Sequence, residues 1–297
     1  MNLAHLLTEQ VNPNSKDIDR LKTIDVLRII NEEDQKVASA VAAALTEIAQ
    51  AVDQTVDRVR QGGRIFYIGA GTSGRLGLLD AAECPPTFHV PEERVQGILA
   101  GGESAFAHAT EASEDDERAG RRDLAARKFS GGDVLIGISA SGRTPYVLGA
   151  VAAARELGAL TIGISCTPDS ELAHRTNIAI TPLVGPEVIA GSTRMKAGTA
   201  TKLVLNMIST AVMIRLGYVY KNLMVNVQAK NKKLEDRARR IVVEAAEVGY
   251  DRAGELLREA GGDARTAIIM SRLHLDRAAA ERKLTSAHGR IAEALES

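Results

Sequence analysis

Five short apolar runs alternate with longer stretches of helical spacing in the middle of this chain, and this rhythm constrains its fold. The predicted strands cover residues 64–68, 95–99, 134–138, 161–165 and 178–181. The predicted helices between and after them cover residues 75–83, 104–127, 145–157 and 169–175. Such alternation is typical of a parallel sheet with helices on both faces. The sequence therefore predicts an α/β fold with three αβα layers around a five-stranded parallel sheet.

Helical segments flank this region on both sides. Residues 17–61 have apolar side chains at helical spacing, and the polar run 31–34 is predicted to divide them into two helices. A long helix is predicted to begin after Gly191-Ser192-Thr193 and to run to Leu216. A helical connection is predicted over 223–240, which includes the basic run Lys230-Asn231-Lys232-Lys233. Further short amphipathic helices follow, with Gly261-Gly262 as a separator and Asp263 as a cap. We divide the chain into an N-terminal helical segment (1–50), a sheet domain (51–225) and a small C-terminal helical domain (226–297).

Composition excludes several classes of partner. The 297 residues carry a formal net charge of −1, whereas a nucleic-acid-binding protein is favoured by a basic face. The apolar segment 197–217 contains Lys202, Asn206 and Arg215, which predicts a buried helix and not a membrane span. The N-terminus lacks the pattern of a signal peptide, and the only cysteines are Cys84 and Cys166. We therefore expect a cytoplasmic protein with no nucleic-acid or membrane partner and no disulfide framework.

Two turns rich in glycine and hydroxyl side chains follow predicted strands. The first is Gly69-Ala70-Gly71-Thr72-Ser73-Gly74-Arg75, and the second is Ser139-Ala140-Ser141-Gly142-Arg143-Thr144-Pro145. Hydroxyl groups and free N–H groups at the start of a helix suit the acceptor oxygens of a phosphate. Thr144 is predicted to be the N-cap of the helix that Pro145 begins. An ordinary capped loop remains the alternative, and the spacing Gly69-x-Gly71-x-x-Gly74 is only weak support for a dinucleotide.

Several charged residues are candidates for binding or catalysis. Glu83 precedes Cys84-Pro85-Pro86, so the helix is predicted to end near it, where the negative end of the helix dipole favours a protonated carboxyl group. A general acid needs that property, although an exposed glutamate at a frayed helix end fits the same pattern. The acidic group Glu111, Glu114, Asp115, Asp116 and Glu117 is equally compatible with a solvated helix face.

A second group of candidates follows residue 190. Ser192, Arg194 and Lys196 stand at the predicted start of the long helix, where they suit either an anionic ligand or a simple cap. Histidines and cysteines lack the spacing of a metal site, and the chain has no nucleophile elbow of a serine hydrolase. We therefore expect no metal site and no serine hydrolase.

These motifs together resemble a known family. The two turns are similar to the sugar-phosphate loops of a sugar isomerase (SIS) domain. The narrower runs over residues 80–87 and 185–199 resemble those of the N-acetylmuramic acid 6-phosphate etherase family, and residues 7–10 and 29–34 fit as well. The resemblance extends over nearly the whole chain, with no departure at a motif position.

The resemblance implies a cofactor-independent carbon–oxygen lyase of cell-wall amino-sugar recycling. It would cleave the lactyl ether of N-acetylmuramic acid 6-phosphate to N-acetylglucosamine 6-phosphate and (R)-lactate, and would act as a cytoplasmic homodimer. By motif match, Glu83 would be the proton donor and Glu114 the second catalytic carboxylate. The substrate and its phosphate would contact Gly71, Thr72, Ser73, Ser139, Ser141, Thr144, Ser192 and Lys196.

Two other functions compete with this interpretation. A phosphosugar isomerase would also move a C2 proton but would need no acid for a leaving group. A non-catalytic sugar-phosphate sensor is suggested by the similarity of the 191–199 motif to the glucokinase regulatory protein. Release of lactate separates the etherase from both.

Overall fold

The computed structural model describes residues 7–102, 104–107, 113–227 and 232–296. The chain forms two compact units. The N-terminal unit consists of Met1–Ala82 and Glu92–Ser209, and the C-terminal unit consists of Glu83–Pro91 and Thr210–Ser297.

A five-stranded parallel sheet forms the centre of the N-terminal unit. Its strands are β1 (Ile65–Gly69), β2 (Val95–Leu99), β3 (Val134–Ile138), β4 (Leu160–Ile164) and β5 (Ile178–Ile180). Their spatial order is β2-β1-β3-β4-β5, and every neighbouring pair is parallel. All residues of β1, β3 and β4 are buried, which explains why these strands are apolar runs without alternation. The predicted α/β class and five-stranded parallel sheet are confirmed.

Helices precede, connect and follow the strands of the N-terminal unit. The first two are α1 (Thr23–Ala42) and α2 (Leu45–Arg60). The others are α3 (Gly71–Phe88), α4 (Ser104–Ala107), α5 (Glu117–Ala126), α6 (Pro145–Glu156), α7 (Glu171–Arg175) and α8 (Lys196–Arg215). The boundary between the two units falls within α3 and within α8. Helix α8 is long and apolar enough to cross a membrane, but 56% of its most apolar window is buried within the folded chain.

Helix α1 continues through the predicted break at residues 31–34. The prediction is wrong because Glu33, which looked like part of a polar interruption, is a buried contact residue with 3% of its surface exposed. Charged side chains do not end a helix unless they cap it or stop its hydrogen bonding. The break occurs later, at Ala43 and Ala44, before α2 begins.

Two other predicted helix boundaries differ from the structure. Helix α3 does not end near Glu83 but runs to Phe88, with Pro85 and Pro86 inside it. The prediction of one helix over 104–127 is also wrong, because Asp116 caps a new helix by accepting a hydrogen bond from the Ala119 N–H at 2.9 Å. Residues 108–112, including Glu111 of the acidic group, lie outside the described residues.

Within the described part of the C-terminal unit, five short helices follow α8. They are α9 (Lys232–Ala246), α10 (Tyr250–Glu259), α11 (Ala264–Leu273), α12 (Arg277–Ser286) and α13 (Ile291–Glu296). Asp263 caps α11 as predicted, with its carboxylate accepting from the N–H groups of Arg265 and Thr266. The predicted connection over 223–240 differs, because residues 223–227 are not helical, and Lys230 and Asn231 fall outside the described residues.

Candidate active site

The carboxyl ends of β1 and β3 lie side by side at one edge of the sheet. The register pairs Gly69 with Ile138, so the two turns rich in glycine and hydroxyl groups leave neighbouring strands at the same edge. The connection after β1 leads to β2 on one side, and the connection after β3 leads to β4 on the other. This reversal is a topological switch point, where open parallel sheets bind their ligands.

The second turn gathers three hydroxyl groups. Ser139 Oγ lies 2.9 Å from Thr144 Oγ1 and 3.4 Å from Ser141 Oγ, and it accepts the Gly142 N–H at 3.0 Å. Gly142 has a φ of +68°, and an added Cβ would lie 2.4 Å from Ser170 Cβ, so this turn needs glycine for two independent reasons. Thr144 is the N-cap residue of α6, as predicted, but its side chain makes no capping hydrogen bond.

The Thr144 hydroxyl is directed at a carboxylate instead. Thr144 Oγ1 donates to Glu114 Oε1 at 3.0 Å, and the Glu114 carbonyl accepts the Tyr146 N–H at the start of α6, also at 3.0 Å. Glu114 is therefore held by its backbone and its side chain against residues 139–144, which we call the hydroxyl loop, although 30 residues separate Glu114 from Thr144. The structure brings together four of the predicted site residues here: Ser139, Ser141, Thr144 and Glu114.

Two glycines let α5 come close enough to α6 to place Glu114. A Cβ on Gly120 would lie 1.9 Å from the Tyr146 carbonyl oxygen, and one on Gly149 would lie 2.1 Å from that of Glu117. Either side chain would force the two helices apart. Beside this contact lies a cavity of about 510 Å³, lined by Glu114, Asp115, Glu117, Ser141, Arg143, Thr144, Pro145, Leu148, Glu171 and Arg175.

The first turn opens directly into α3. Gly71, Thr72 and Ser73 form its first turn, where the N–H groups have no acceptor within the helix. A Cβ on Gly74 would lie 2.4 Å from the Gly69 carbonyl oxygen, so only glycine allows this tight strand-to-helix connection. Thr72 packs near the start of α8, since its Cγ2 would lie 3.5 Å from a Cβ on Gly198.

The loop that carries Ser192 is anchored to the N-terminal segment of the chain. The Gly191 N–H donates to the Thr8 carbonyl at 3.0 Å, Asn12 Nδ2 donates to the Pro186 carbonyl at 3.0 Å, and Ser15 Oγ donates to the Val188 carbonyl at 2.6 Å. Ser192 itself is half-buried. Its role as a substrate ligand stays a prediction.

Lys196 is buried in an ion pair. Its side chain is 1% exposed, and Nζ donates to Glu33 Oε2 at 2.5 Å. The other oxygen of Glu33 accepts from Lys36 at 2.5 Å and from Asn14 at 2.8 Å. Burial alone would raise the pKa of Glu33, but the hydrogen bonds from Lys196, Lys36 and Asn14 lower it to about 2. Sequence reasoning missed Glu33, because nothing local marks which glutamate of a polar run is buried.

A second buried carboxylate, also missed, caps α8. Both oxygens of Glu187 accept backbone hydrogen bonds, from the Lys196 N–H at 3.0 Å and the Ala197 N–H at 2.9 Å. Burial raises the pKa of Glu187, and the two backbone donors and the Lys196 charge oppose that rise. Burial, with the nearby Glu187 charge, raises the pKa of the Cys166 thiol to about 12, which makes it a poor nucleophile.

Glu83 is exposed and belongs to the C-terminal unit, whereas Glu114 belongs to the N-terminal unit. The surroundings of Glu83 differ from those predicted, because α3 continues five residues beyond Glu83 to Phe88. Pro85 and Pro86 have no N–H, so the carbonyl groups of Ala81 and Ala82 lack their usual helical donors. These two carbonyl dipoles precede Glu83 at a point where the helix continues.

Comparisons with known proteins identify the family. The family model for the glucokinase regulatory protein N-terminal SIS domain matches residues 47–155, and the model for the SIS domain matches residues 110–211. The N-acetylmuramic acid 6-phosphate etherase of Caldanaerobacter subterraneus subsp. tengcongensis is 54% identical over 99% of this chain and 96% of its own. This chain belongs to the N-acetylmuramic acid 6-phosphate etherase family. The etherase of Glaesserella parasuis is 53% identical over 97% of this chain and 95% of its own.

A solved structure supports the fold of this etherase-family chain. The phosphoheptose isomerase from Francisella tularensis matches with a TM-score of 0.50 at 20% identity, over 65% of this chain and all of that one. At this level of identity the match concerns the SIS fold alone. Among the described residues, no group of three or more His, Cys, Asp or Glu side chains is placed to hold a metal ion.

Proposed function

We propose that this chain cleaves the lactyl ether of N-acetylmuramic acid 6-phosphate by elimination and hydration, giving N-acetylglucosamine 6-phosphate and (R)-lactate. The observation that supports this most strongly is a hydroxyl loop with a carboxylate, Glu114, hydrogen-bonded to it at 3.0 Å, in a chain 54% identical to a named etherase. The loop suits the phosphate of the substrate, and the carboxylate suits proton transfer next to it.

The reaction needs a base and an acid. Opening of the sugar ring exposes an aldehyde at C1, which makes the proton on C2 acidic. Glu114 takes that proton, the electron pair forms the C2–C3 double bond, and the ether oxygen leaves C3 with a proton from Glu83. Water then adds to C3 of the unsaturated aldehyde, and a proton returns to C2. A positioned acid and a positioned base each contribute about 10²–10⁴-fold to the rate.

The phosphate loop orients the substrate at a distance from the breaking bond. Ser139, Ser141 and Thr144 hold the phosphate, and the start of α3 at Gly71, Thr72 and Ser73 adds N–H donors at the same sheet edge. Ser192 and Lys196 remain proposed contacts, although the Lys196 ammonium is paired with Glu33 in this structure. Binding energy gained far from the reacting atoms fixes their geometry.

Lactate release from purified protein tests the proposed function. We expect (R)-lactate from N-acetylmuramic acid 6-phosphate and little or none from the unphosphorylated sugar. A folded protein that binds the sugar phosphate but releases no lactate would instead be an isomerase or a sensor.

Replacement of Ser141 by alanine is expected to raise KM for the phosphorylated substrate about tenfold or more and to leave kcat nearly unchanged. A hydrogen bond to a charged group contributes about 1.5–3 kcal/mol, and this one is made equally in the ground and transition states. Steady-state kinetics measure the effect, with the exposed Ser286→Ala as a control. An unchanged KM would remove Ser141 from the phosphate site.

We also propose that the chain acts as a cytoplasmic homodimer. Helix α8 leaves Met207 39% and Ile214 48% exposed, and α1 leaves Ile24 and Leu27 more than half exposed. Apolar surface of this kind is covered when two subunits associate. Light scattering at micromolar concentration should give twice the chain mass of 31.6 kDa, and a monomeric mass would contradict the proposal.

A further inference from the structure

The three hydroxyl groups of the second turn and the Glu114 carboxylate share a limited number of protons. An ionised carboxylate can only accept, so Thr144 Oγ1 is the donor in its 3.0 Å contact with Glu114. A threonine hydroxyl has one proton, so Ser139 must be the donor in its 2.9 Å contact with Thr144. The single hydroxyl proton of Ser139 is then used in its hydrogen bond to Thr144.

The same reasoning extends to Ser141. Since Ser139 has no proton left, Ser141 must be the donor in their 3.4 Å contact. The backbone fits this direction, because Ser139 Oγ accepts the Gly142 N–H at 3.0 Å and Ser141 Oγ accepts the Arg143 N–H at 3.3 Å. All three hydroxyl protons therefore point along one chain, from Ser141 through Ser139 and Thr144 to Glu114.

A phosphate dianion can only accept hydrogen bonds at near-neutral pH. For the hydroxyl groups to bind it, their protons must rotate away from the chain that ends at Glu114. Ser139 and Thr144 are buried, at 3% and 7% exposure. Water therefore cannot easily replace a hydrogen bond that an acceptor in this chain loses when a hydroxyl proton turns towards phosphate. Phosphate and the Glu114 carboxylate thus compete for the same donors.

We propose that the Thr144 hydroxyl binds Glu114 in the ligand-free protein and that phosphate in the 139–144 loop draws the Thr144 proton away from that carboxylate. This inference rests on the proposed function, which assigns the substrate phosphate to the loop. Without phosphate, Glu114 Oε1 is occupied by the Thr144 hydroxyl. With phosphate bound, that oxygen is released and is available to accept the C2 proton. The phosphate of the substrate would then prepare the base as well as bind the sugar.

Competition of this kind is reciprocal: if phosphate weakens the bond from Thr144 to Glu114, then Glu114 weakens phosphate binding by the same factor. We therefore expect Glu114→Gln to bind N-acetylglucosamine 6-phosphate about tenfold more tightly than the wild type, equivalent to ~1.4 kcal/mol. A glutamine amide is a weaker acceptor than a carboxylate and competes less for the hydroxyl proton. Titration calorimetry on the full chain measures the dissociation constants.

The control is Glu117→Gln, which removes the same charge from the lining of the same cavity. We expect it to tighten binding by no more than about twofold, the effect of charge alone through solvent. The two substitutions are then repeated in Thr144→Val, which has no hydroxyl to share. There Glu114→Gln should tighten binding no more than Glu117→Gln does, whereas in Thr144→Ser the tenfold difference should return.

Equal tightening by Glu114→Gln and Glu117→Gln would overturn the inference, and so would a tenfold effect that survives in Thr144→Val. If Thr144→Val does not fold, as judged by its thermal unfolding, Thr144→Ala takes its place in the cycle. Kinetics give a second readout, because in the substrate complex the Thr144 proton already serves the phosphate, so Thr144→Val should raise KM and leave kcat nearly unchanged. A fall in kcat would show that the bond from Thr144 to Glu114 persists in the complex and would overturn the inference. Absence of lactate release from the wild type would refute the proposed function, whereas the binding cycle judges the coupling separately.

Discussion

Replacement of Lys196 by methionine is expected to lower the free energy of unfolding by about 3 kcal/mol at pH 7. The substitution leaves the Glu33 carboxylate, 3% exposed, without its buried partner, and breaking a buried pair on one side typically costs about 3–5 kcal/mol. The lower end applies because Lys36 and Asn14 still hydrogen-bond to the same carboxylate. Denaturant-induced unfolding measures the change.

Lys36→Met is the matched control for this prediction. Lys36 binds the same carboxylate, but its side chain is 53% exposed, so its loss should cost less than about 1 kcal/mol. Removal of both buried partners, in Glu33→Leu with Lys196→Met, should be less damaging than Lys196→Met alone, since no unpaired buried charge remains. Lys196→Met with wild-type stability and only a raised KM would show that Lys196 serves the substrate and not the fold.

The same pair makes stability depend on pH in a defined window. Because the pKa of Glu33 falls from 4.5 to about 2 on folding, its contribution is fully present above pH 4.5 and is lost as the pH falls towards 2. The shift corresponds to about 3 kcal/mol at most. Between pH 4.5 and 2, Glu33→Gln should therefore lose less stability than the wild type, although it starts from a lower value. If the free energies of unfolding of the two proteins fall in parallel over this range, folding does not lower the pKa of Glu33.

The parts of the fold that could be predicted are those that local sequence determines. A strand buried on both faces must be apolar at every position, and Val134–Ile138 shows this directly. Pro145 has the backbone angle of a first helical residue, and Asp263 offers an oxygen to the first N–H groups of a helix, so both boundaries are visible without tertiary information. The two turns could be assigned to one sheet edge because parallel strands end on the same side.

The wrong boundaries arise where tertiary contacts decide. Glu33 is buried within α1, where Lys196, 163 residues away, provides an ion-pair partner that no local pattern reveals. Helix α3 passes through Pro85 and Pro86, and the His89 N–H then closes it by donating to the Pro85 carbonyl at 2.9 Å. His89 reaches this position with a φ of +51°, which a sequence argument does not anticipate.

The candidate site divides in the same way. Ser139, Ser141 and Thr144 could be grouped from sequence because they share one turn. Their contact with Glu114 depends on the approach of α5 to α6 through Gly120 and Gly149, which the sequence alone does not specify. The roles of Glu83 and Glu114 came from motif resemblance and stay predictions until kinetics test them.

Glu83→Gln and Glu114→Gln are each expected to reduce lactate release from N-acetylmuramic acid 6-phosphate by about 10²–10⁴-fold in kcat. Each removes one of the two proton transfers on which the proposed elimination depends, since a glutamine amide can neither give nor take the proton. Both proteins should still fold and bind the sugar phosphate. Glu92→Gln and Glu117→Gln are the matched controls, one outside the proposed machinery and one on the wall of the cavity.

A substrate with a better leaving group separates the acid from the base. In a 3-chloro analogue of N-acetylglucosamine 6-phosphate, chloride leaves C3 without needing a proton, so an acid contributes little to its departure. If Glu83 is the acid, Glu83→Gln should release chloride at a rate close to wild type, while Glu114→Gln should stay deficient because C2 must still lose its proton. Equal loss in both variants would assign Glu83 to the C2 proton or to the fold, and wild-type chloride release by Glu114→Gln would exclude Glu114 as the base.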